Sequence, residues 1–181
     1  HDGTIIAADQ NSLRAFNAES GKELWKLDGG EINNVVAGYG VVTFIHGRPK
    51  RGEKLEAAGL DLATGKVKWR NNEFEFLPKV TRTVLYKDQL TFELSSLSDN
   101  DLGNELKIVS SQTGKPLWEK AYPPGMNHRR QARAMYLDDK LWILHGGKTN
   151  YIDRANMKRL PVQVSSLDPK TGVTVQTHNA G

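Results

Sequence analysis

Cysteine is absent from the 181 residues, which removes a thiol nucleophile, a thiolate zinc or iron–sulfur site and any disulfide staple. Long apolar runs are missing as well; no stretch approaches the roughly 18 residues that a spanning helix needs. No segment sustains a helical period, so the chain reads as all-β. The GxGxxG, P-loop, GxSxG and HExxH signatures do not occur, which removes the commonest nucleotide, esterase and zinc-protease sites from consideration. Charge of one sign is also scarce: 25 Lys and Arg face 21 Asp and Glu, for a net charge of +4. With no basic strand face interleaved with aromatics, nucleic acid is disfavoured as a partner. The chain opens on His1-Asp2-Gly3, without an initiator Met or an apolar leader, and reads as a processed or excised piece.

What is present is a repeat. Asn17-Ala18-Glu19-Ser20-Gly21-Lys22-Glu23-Leu24-Trp25 returns as Asp61-Leu62-Ala63-Thr64-Gly65-Lys66-Val67-Lys68-Trp69. It returns again as Ser110-Ser111-Gln112-Thr113-Gly114-Lys115-Pro116-Leu117-Trp118, and finally around Gly172, where Gln176 stands in place of the Trp. The markers Gly21, Gly65, Gly114 and Gly172 recur at about 40 to 60 residues, the spacing of propeller blades. Each motif predicts a hairpin. Glycine supplies the φ > 0 that the reversal demands, and the Asn, Asp, Ser and Thr side chains bond the local backbone. Trp25, Trp69 and Trp118 then fall on the returning strand, where a large ring fills the space between neighbouring sheets.

A second hairpin precedes each of the last three motifs, closed at Gly38-Tyr39-Gly40, Lys87-Asp88 and Asp138-Asp139. Two hairpins per repeat make a four-stranded antiparallel sheet, one propeller blade. The blades are expected at about 1–28, 29–72, 73–120 and 121–181, in a single β-propeller segment whose first blade lacks its opening strand.

This Thr-Gly-Lys-x-x-Trp pattern resembles the PQQ-like repeat named for quinoprotein alcohol dehydrogenases. The repeat also builds a non-enzymatic propeller, the lipoprotein of the outer-membrane assembly machine. The resemblance implies part of a seven- or eight-bladed ring and a periplasmic or extracellular location. An open array of four blades leaves unpaired strand edges. The remedies are the rest of a longer chain, closure as a small ring, or self-association with a second copy.

Antiparallel order places the short 1–2 and 3–4 turns at one end of each blade. The long 2–3 loops and the blade links lie at the other, where binding residues concentrate. That end is expected to be basic and to attract a protein or an anionic polysaccharide or other small anionic ligand. Its candidate residues are His46, Arg48 and Arg51, then His128, Arg129 and Arg130, and finally His145, Lys148 and Arg154. Asp9, His46, Ser95 and His145 are expected at the same place in successive blades, as an arc of polar side chains.

No catalytic residue is assigned. The resemblance implies that an enzyme of this class holds PQQ against a pair of adjacent cysteines, beside a Ca²⁺ ion. Those cysteines are missing here, so no cofactor is predicted. Asp99 and Asp101 offer the one weak set of Ca²⁺ ligands. The favoured reading is a non-catalytic binding or scaffold module. The alternative is a section of a PQQ-dependent quinoprotein dehydrogenase whose cofactor residues lie outside this chain.

Overall fold

A computed structural model of the chain describes residues 3–9, 11–47, 54–94, 105–121, 133–146 and 162–179. Of Arg133, His145, Gly146 and Val162 it describes the backbone alone. Among these residues the regular structure is strand throughout, apart from one 3-10 turn at Leu77–Lys79. The first sheet has three strands, β1 (Thr4–Ala8), β2 (Ser12–Asn17) and β3 (Glu23–Asp28), in the order β1-β2-β3. The second has four, β4 (Ile32–Gly38), β5 (Val41–His46), β6 (Glu56–Asp61) and β7 (Val67–Asn71). The third comprises β8 (Val80–Tyr86), β9 (Gln89–Leu94), β10 (Glu105–Ser110) and β11 (Pro116–Ala121). The fourth comprises β12 (Arg133–Leu137), β13 (Lys140–Gly146), β14 (Val162–Leu167) and β15 (Thr174–Asn179). Every sheet keeps sequence order between neighbours, as a meander of hairpins must. These are propeller blades, and among the described residues the first sheet shows no counterpart of β4.

Turn chemistry explains the hairpins. Tyr39 and Gly40 have φ of 51° and 75°, and Asp138 and Asp139 have 49° and 55°. Two consecutive left-handed residues match the right-handed twist of the flanking strands. In each motif turn the residue four before the glycine caps the reversal. Asp61 Oδ1 accepts the Thr64 N–H at 2.9 Å and its hydroxyl at 2.8 Å. Asn17 does the same for Ser20 N–H at 2.8 Å, and Asp168 for Thr171 N–H at 3.1 Å.

The middle strands carry the core. All but the last residue of β5 is buried, because apolar side chains leave both faces of the strand, whereas β15 is exposed along its whole length. The chain divides into two compact units. One comprises His1–Pro78, Leu85–Leu90 and Val109–Pro116; its core gathers Leu13, Val42, Phe44, Ala58, Leu60 and Leu62, with Trp25 and Ile6 packed against them. The other comprises Lys79–Val84, Thr91–Ile108 and Leu117–Gly181; its core gathers Leu106, Ile108, Ala134, Leu141, Ile143 and Leu167, with Trp118 and Tyr136. In both, residues of a blade's third strand meet the second strand of the following blade.

Candidate functional site

The two ends of each blade differ in what occupies them. At the short-turn end the motif Trp of one blade docks on the motif glycine of the next. Trp25 Nε1 donates to Leu62 O at 2.9 Å, Trp69 Nε1 to Ser111 O at 2.7 Å, and Trp118 Nε1 to Pro169 O at 2.7 Å. Each acceptor lies three residues before the following glycine. The ring then lies on that glycine. A Cβ at Gly65 would sit 2.7 Å from Trp25, and one at Gly114 or Gly172 would sit 2.5 Å from Trp69 or Trp118. The glycines therefore answer to a left-handed φ of 67–70° and to a ring that leaves no room for a methyl group. With ring and N–H both engaged, these three Trp residues are joints between blades.

Trp69 is the most enclosed of them, because it is held between two glycines. Gly59, its cross-strand partner in β6, would place a Cβ 2.3 Å from its Nε1. In the first blade Ala15 faces Trp25 instead, and that ring is half-buried. Gly59 carries no turn signal; its only mark in the sequence is that it stands opposite a Trp once the register is known.

At the long-loop end the described residues are fewer. Arg48, Arg51, His128, Arg129, Arg130, Lys148, Arg154, Asp99 and Asp101 lie outside the described residues, as does Ser95. His46 ends β5, paired with Ile32 and Glu56, and its Nε2 is 3.8 Å from where a Cβ on Gly29 would stand. His145 takes the corresponding backbone place in β13, opposite Gln163. Ala18, Leu62 and Ser111 N–H donate to Gly3, Gly40 and Asp88 O respectively, which aligns the first three blades. Counting from those carbonyls, Asp9, His46 and Leu94 are equivalent. The place expected for Ser95 in the arc thus falls on Leu94, because the tight Lys87-Asp88 turn starts β9 one residue earlier than the sequence spacing suggests.

Asp9 is committed to its own loop. Its Oδ1 accepts the N–H groups of Asn11 and Ser12, both at 2.7 Å, and its Oδ2 accepts the Ser12 hydroxyl at 3.0 Å. The Asn11 N–H first, then the Ser12 hydroxyl and N–H, hold its carboxyl below the usual carboxylate range. Beside it, Arg14, Lys26 and Asp28 line an open polar recess on the first blade. Within it Lys26 pairs with Asp28 at 2.6 Å, and Arg14 pairs with Glu23 outside it at 3.6 Å. Arg70 and Glu56 likewise form an ion pair where the second blade's long loop rejoins the sheet.

A second inter-blade contact joins the third and fourth blades. Glu93, almost wholly buried in β9, accepts the Ala134 N–H at 2.8 Å through Oε1. Arg82 donates to the same Oε1 at 3.2 Å and to Ala134 O at 3.4 Å. Carboxylate and guanidinium thus grip both backbone groups of one residue. Among the described residues no cluster of three or more His, Asp or Glu is disposed to hold a metal ion, and no helix is long and apolar enough to cross a membrane.

Comparison with known proteins agrees with this architecture. Among curated proteins no sequence matches the chain. In solved structures, the quinohemoprotein alcohol dehydrogenase ADHIIG from Pseudomonas putida HK5 superposes with a TM-score of 0.66 at 14% identity, over 98% of this chain and 32% of that one. BamB from Moraxella catarrhalis superposes with a TM-score of 0.51 at 13% identity, over 97% of this chain and 60% of that one. The β-propeller domain of the Trilobed protease from Pyrococcus furiosus, of open velcro topology, gives 0.54 at 9% identity over 96% and 52%. The chain thus spans about a third of the dehydrogenase and at most 60% of the other two. At such identities the likeness is one of fold, and the fold hosts both an enzyme and an assembly factor. A family model described as outer membrane protein assembly factor BamB matches residues 1–135, so that this chain belongs to the PQQ_2 family of β-propeller repeats.

Proposed function

We propose that the chain is a non-catalytic binding or scaffold propeller, working in the periplasm or outside the cell, that takes its partner at the long-loop ends of its blades. The observation that carries this reading is the Trp-on-glycine joint. It occupies the short-turn ends with packing and leaves the loops of the opposite ends as the part that differs from blade to blade. Rigid sheets that present variable loops are the usual platform for recognition. The partner is a protein surface or polyanion of acidic character, matched to Arg48, Arg51, Arg129, Arg130, Lys148 and Arg154. Kinship with a family described as an outer-membrane assembly factor favours a protein.

Binding of dextran sulfate, measured by calorimetry at low and moderate salt, tests this reading. The paired charge reversal Arg129→Glu with Arg130→Glu should weaken it about tenfold or more and flatten its salt dependence. Unchanged affinity in that variant would refute the assignment. A second reading, a section of a quinoprotein dehydrogenase, is favoured by the higher TM-score of the dehydrogenase. A saturable change in the absorbance of PQQ added with Ca²⁺ would favour it instead.

A further inference from the structure

The third motif turn is closed differently from the other three. In those, one side chain four residues before the glycine takes the donors of the turn. Asn17 Oδ1 accepts Glu19 and Ser20 N–H at 3.1 and 2.8 Å, and Asp168 Oδ1 accepts Lys170 and Thr171 N–H at 2.7 and 3.1 Å. Asp61 Oδ1 accepts the N–H and the hydroxyl of Thr64. In the third blade Ser110 stands at that place, and its shorter side chain accepts Thr113 N–H at 3.1 Å. The other donor, Gln112 N–H, goes to Asp88 Oδ1 at 2.9 Å, 24 residues away in the chain.

Asp88 belongs to the turn between β8 and β9. Its carboxylate also accepts the Ser110 hydroxyl, at 2.9 Å on Oδ1 and 3.0 Å on Oδ2, and the Ser111 hydroxyl at 3.3 Å. Its carbonyl accepts the Ser111 N–H at 3.0 Å. One residue thus ties both short turns of the blade together. The corresponding residues are Gly3 in the first blade and Gly40 in the second, where the motif carries its own Asn17 or Asp61. In the fourth blade Asp139 and Asp168 fill both places, but the turn is of another kind. There Asp138 and Asp139 are both left-handed, whereas in the third blade Lys87 is and Asp88 is not.

The residues that Asp88 holds are those on which the second blade docks. Trp69 Nε1 donates to Ser111 O at 2.7 Å, Gln112 Nε2 donates to Tyr39 O at 3.2 Å, and the Trp69 ring lies on Gly114. All of these residues lie in one compact unit. We propose that Asp88 is a latch, a capping carboxylate supplied by the neighbouring turn, which holds residues 110–112 in the form that receives the second blade. Asp88 and Ser110 together do the work of Asp61, divided between two turns. A carboxylate placed at position 110 should then replace the one at 88, and the two present together should repel.

Hydrogen exchange of the indole N–H groups, followed by NMR in the 181-residue chain, tests this. Asp88→Ala should speed exchange at Trp69 Nε1 about tenfold or more and leave Trp25 Nε1 within about twofold of wild type. Ser110→Asp alone should also speed exchange at Trp69, because it brings two carboxylates within hydrogen-bond distance. Combined, Asp88→Ala with Ser110→Asp should return Trp69 to within about threefold of wild type, whereas two independent losses would add. Unchanged Trp69 exchange in Asp88→Ala would overturn the proposal, as would a double variant that exchanges no more slowly than the single ones. If Asp88→Ala does not fold, recovery of folding in the double variant upholds the latch, and its absence overturns it. None of these outcomes depends on dextran sulfate binding, so failure here leaves the long-loop reading standing.

Discussion

At Gly114 two demands meet that Gly21 meets only in part. Both have left-handed backbone, 67° and 68°, and a methyl group there costs about 1–2 kcal/mol from φ alone. At Gly114 the methyl must also displace Trp69, whose ring it would approach to 2.5 Å. Gly21→Ala should therefore cost about 1–2 kcal/mol and Gly114→Ala roughly twice that or more, read from urea denaturation midpoints. Equal losses would mean that the ring contributes nothing at the joint. Asp61 offers a test by pH. The Thr64 hydroxyl and then its N–H hold the Asp61 carboxyl below the ordinary carboxylate range. Its contribution is thus present above the unfolded-state value near 3.9 and is lost as pH falls through the folded value. Asp61→Asn should leave stability at neutral pH nearly unchanged, because Asn17 makes the same bonds in the first blade. It should also reduce the acid-limb loss; an unaltered acid limb would count against the cap. The packing role of the Trp residues was legible from their recurrence. Which blade each ring docks on was not, because an indole between two sheets satisfies either neighbour until the hydrogen-bond acceptor is located.

Strand β9 shows where alternation misleads. Leu90-Thr91-Phe92-Glu93-Leu94 has the period of a half-exposed strand, yet every residue after Gln89 is buried. The fourth blade covers the second face, and there Glu93 Oε1 accepts from Ala134 N–H and Arg82. Removing it leaves the buried Ala134 N–H without its acceptor, while Arg82 keeps Ala134 O and solvent, so Glu93→Ala should cost about 1–3 kcal/mol. Glu93→Gln keeps an acceptor for Ala134 and should cost less than half as much. A loss of under about 1 kcal/mol for Glu93→Ala would show that the grip is incidental. The hairpins themselves could be read directly, since Asp138-Asp139 and the glycine turns need backbone angles that few residues accept. Glu93 could not, since a single carboxylate between apolar neighbours looks the same on a wet face and at a dry joint. Gly59 escaped for a related reason: a close approach leaves no local signature.

For the whole molecule, blade repeats and their short-turn ends were legible because the same local bonds recur four times. The long-loop ends are unlike one another, and periodicity, which served the fold so well, carries no information there. Asp9 illustrates the limit: its place in the arc followed from strand length, while its commitment to Asn11 and Ser12 depends on a loop conformation. The central claim is that packing owns the short-turn ends and recognition the long-loop ends. Amide hydrogen exchange with and without dextran sulfate tests it most directly. Added polyanion should slow exchange in the segments 47–55, 72–79 and 122–132, and leave the turns at 18–22, 62–66 and 111–115 unchanged. Protection that appears at the glycine turns, or none in the long loops, would contradict the account.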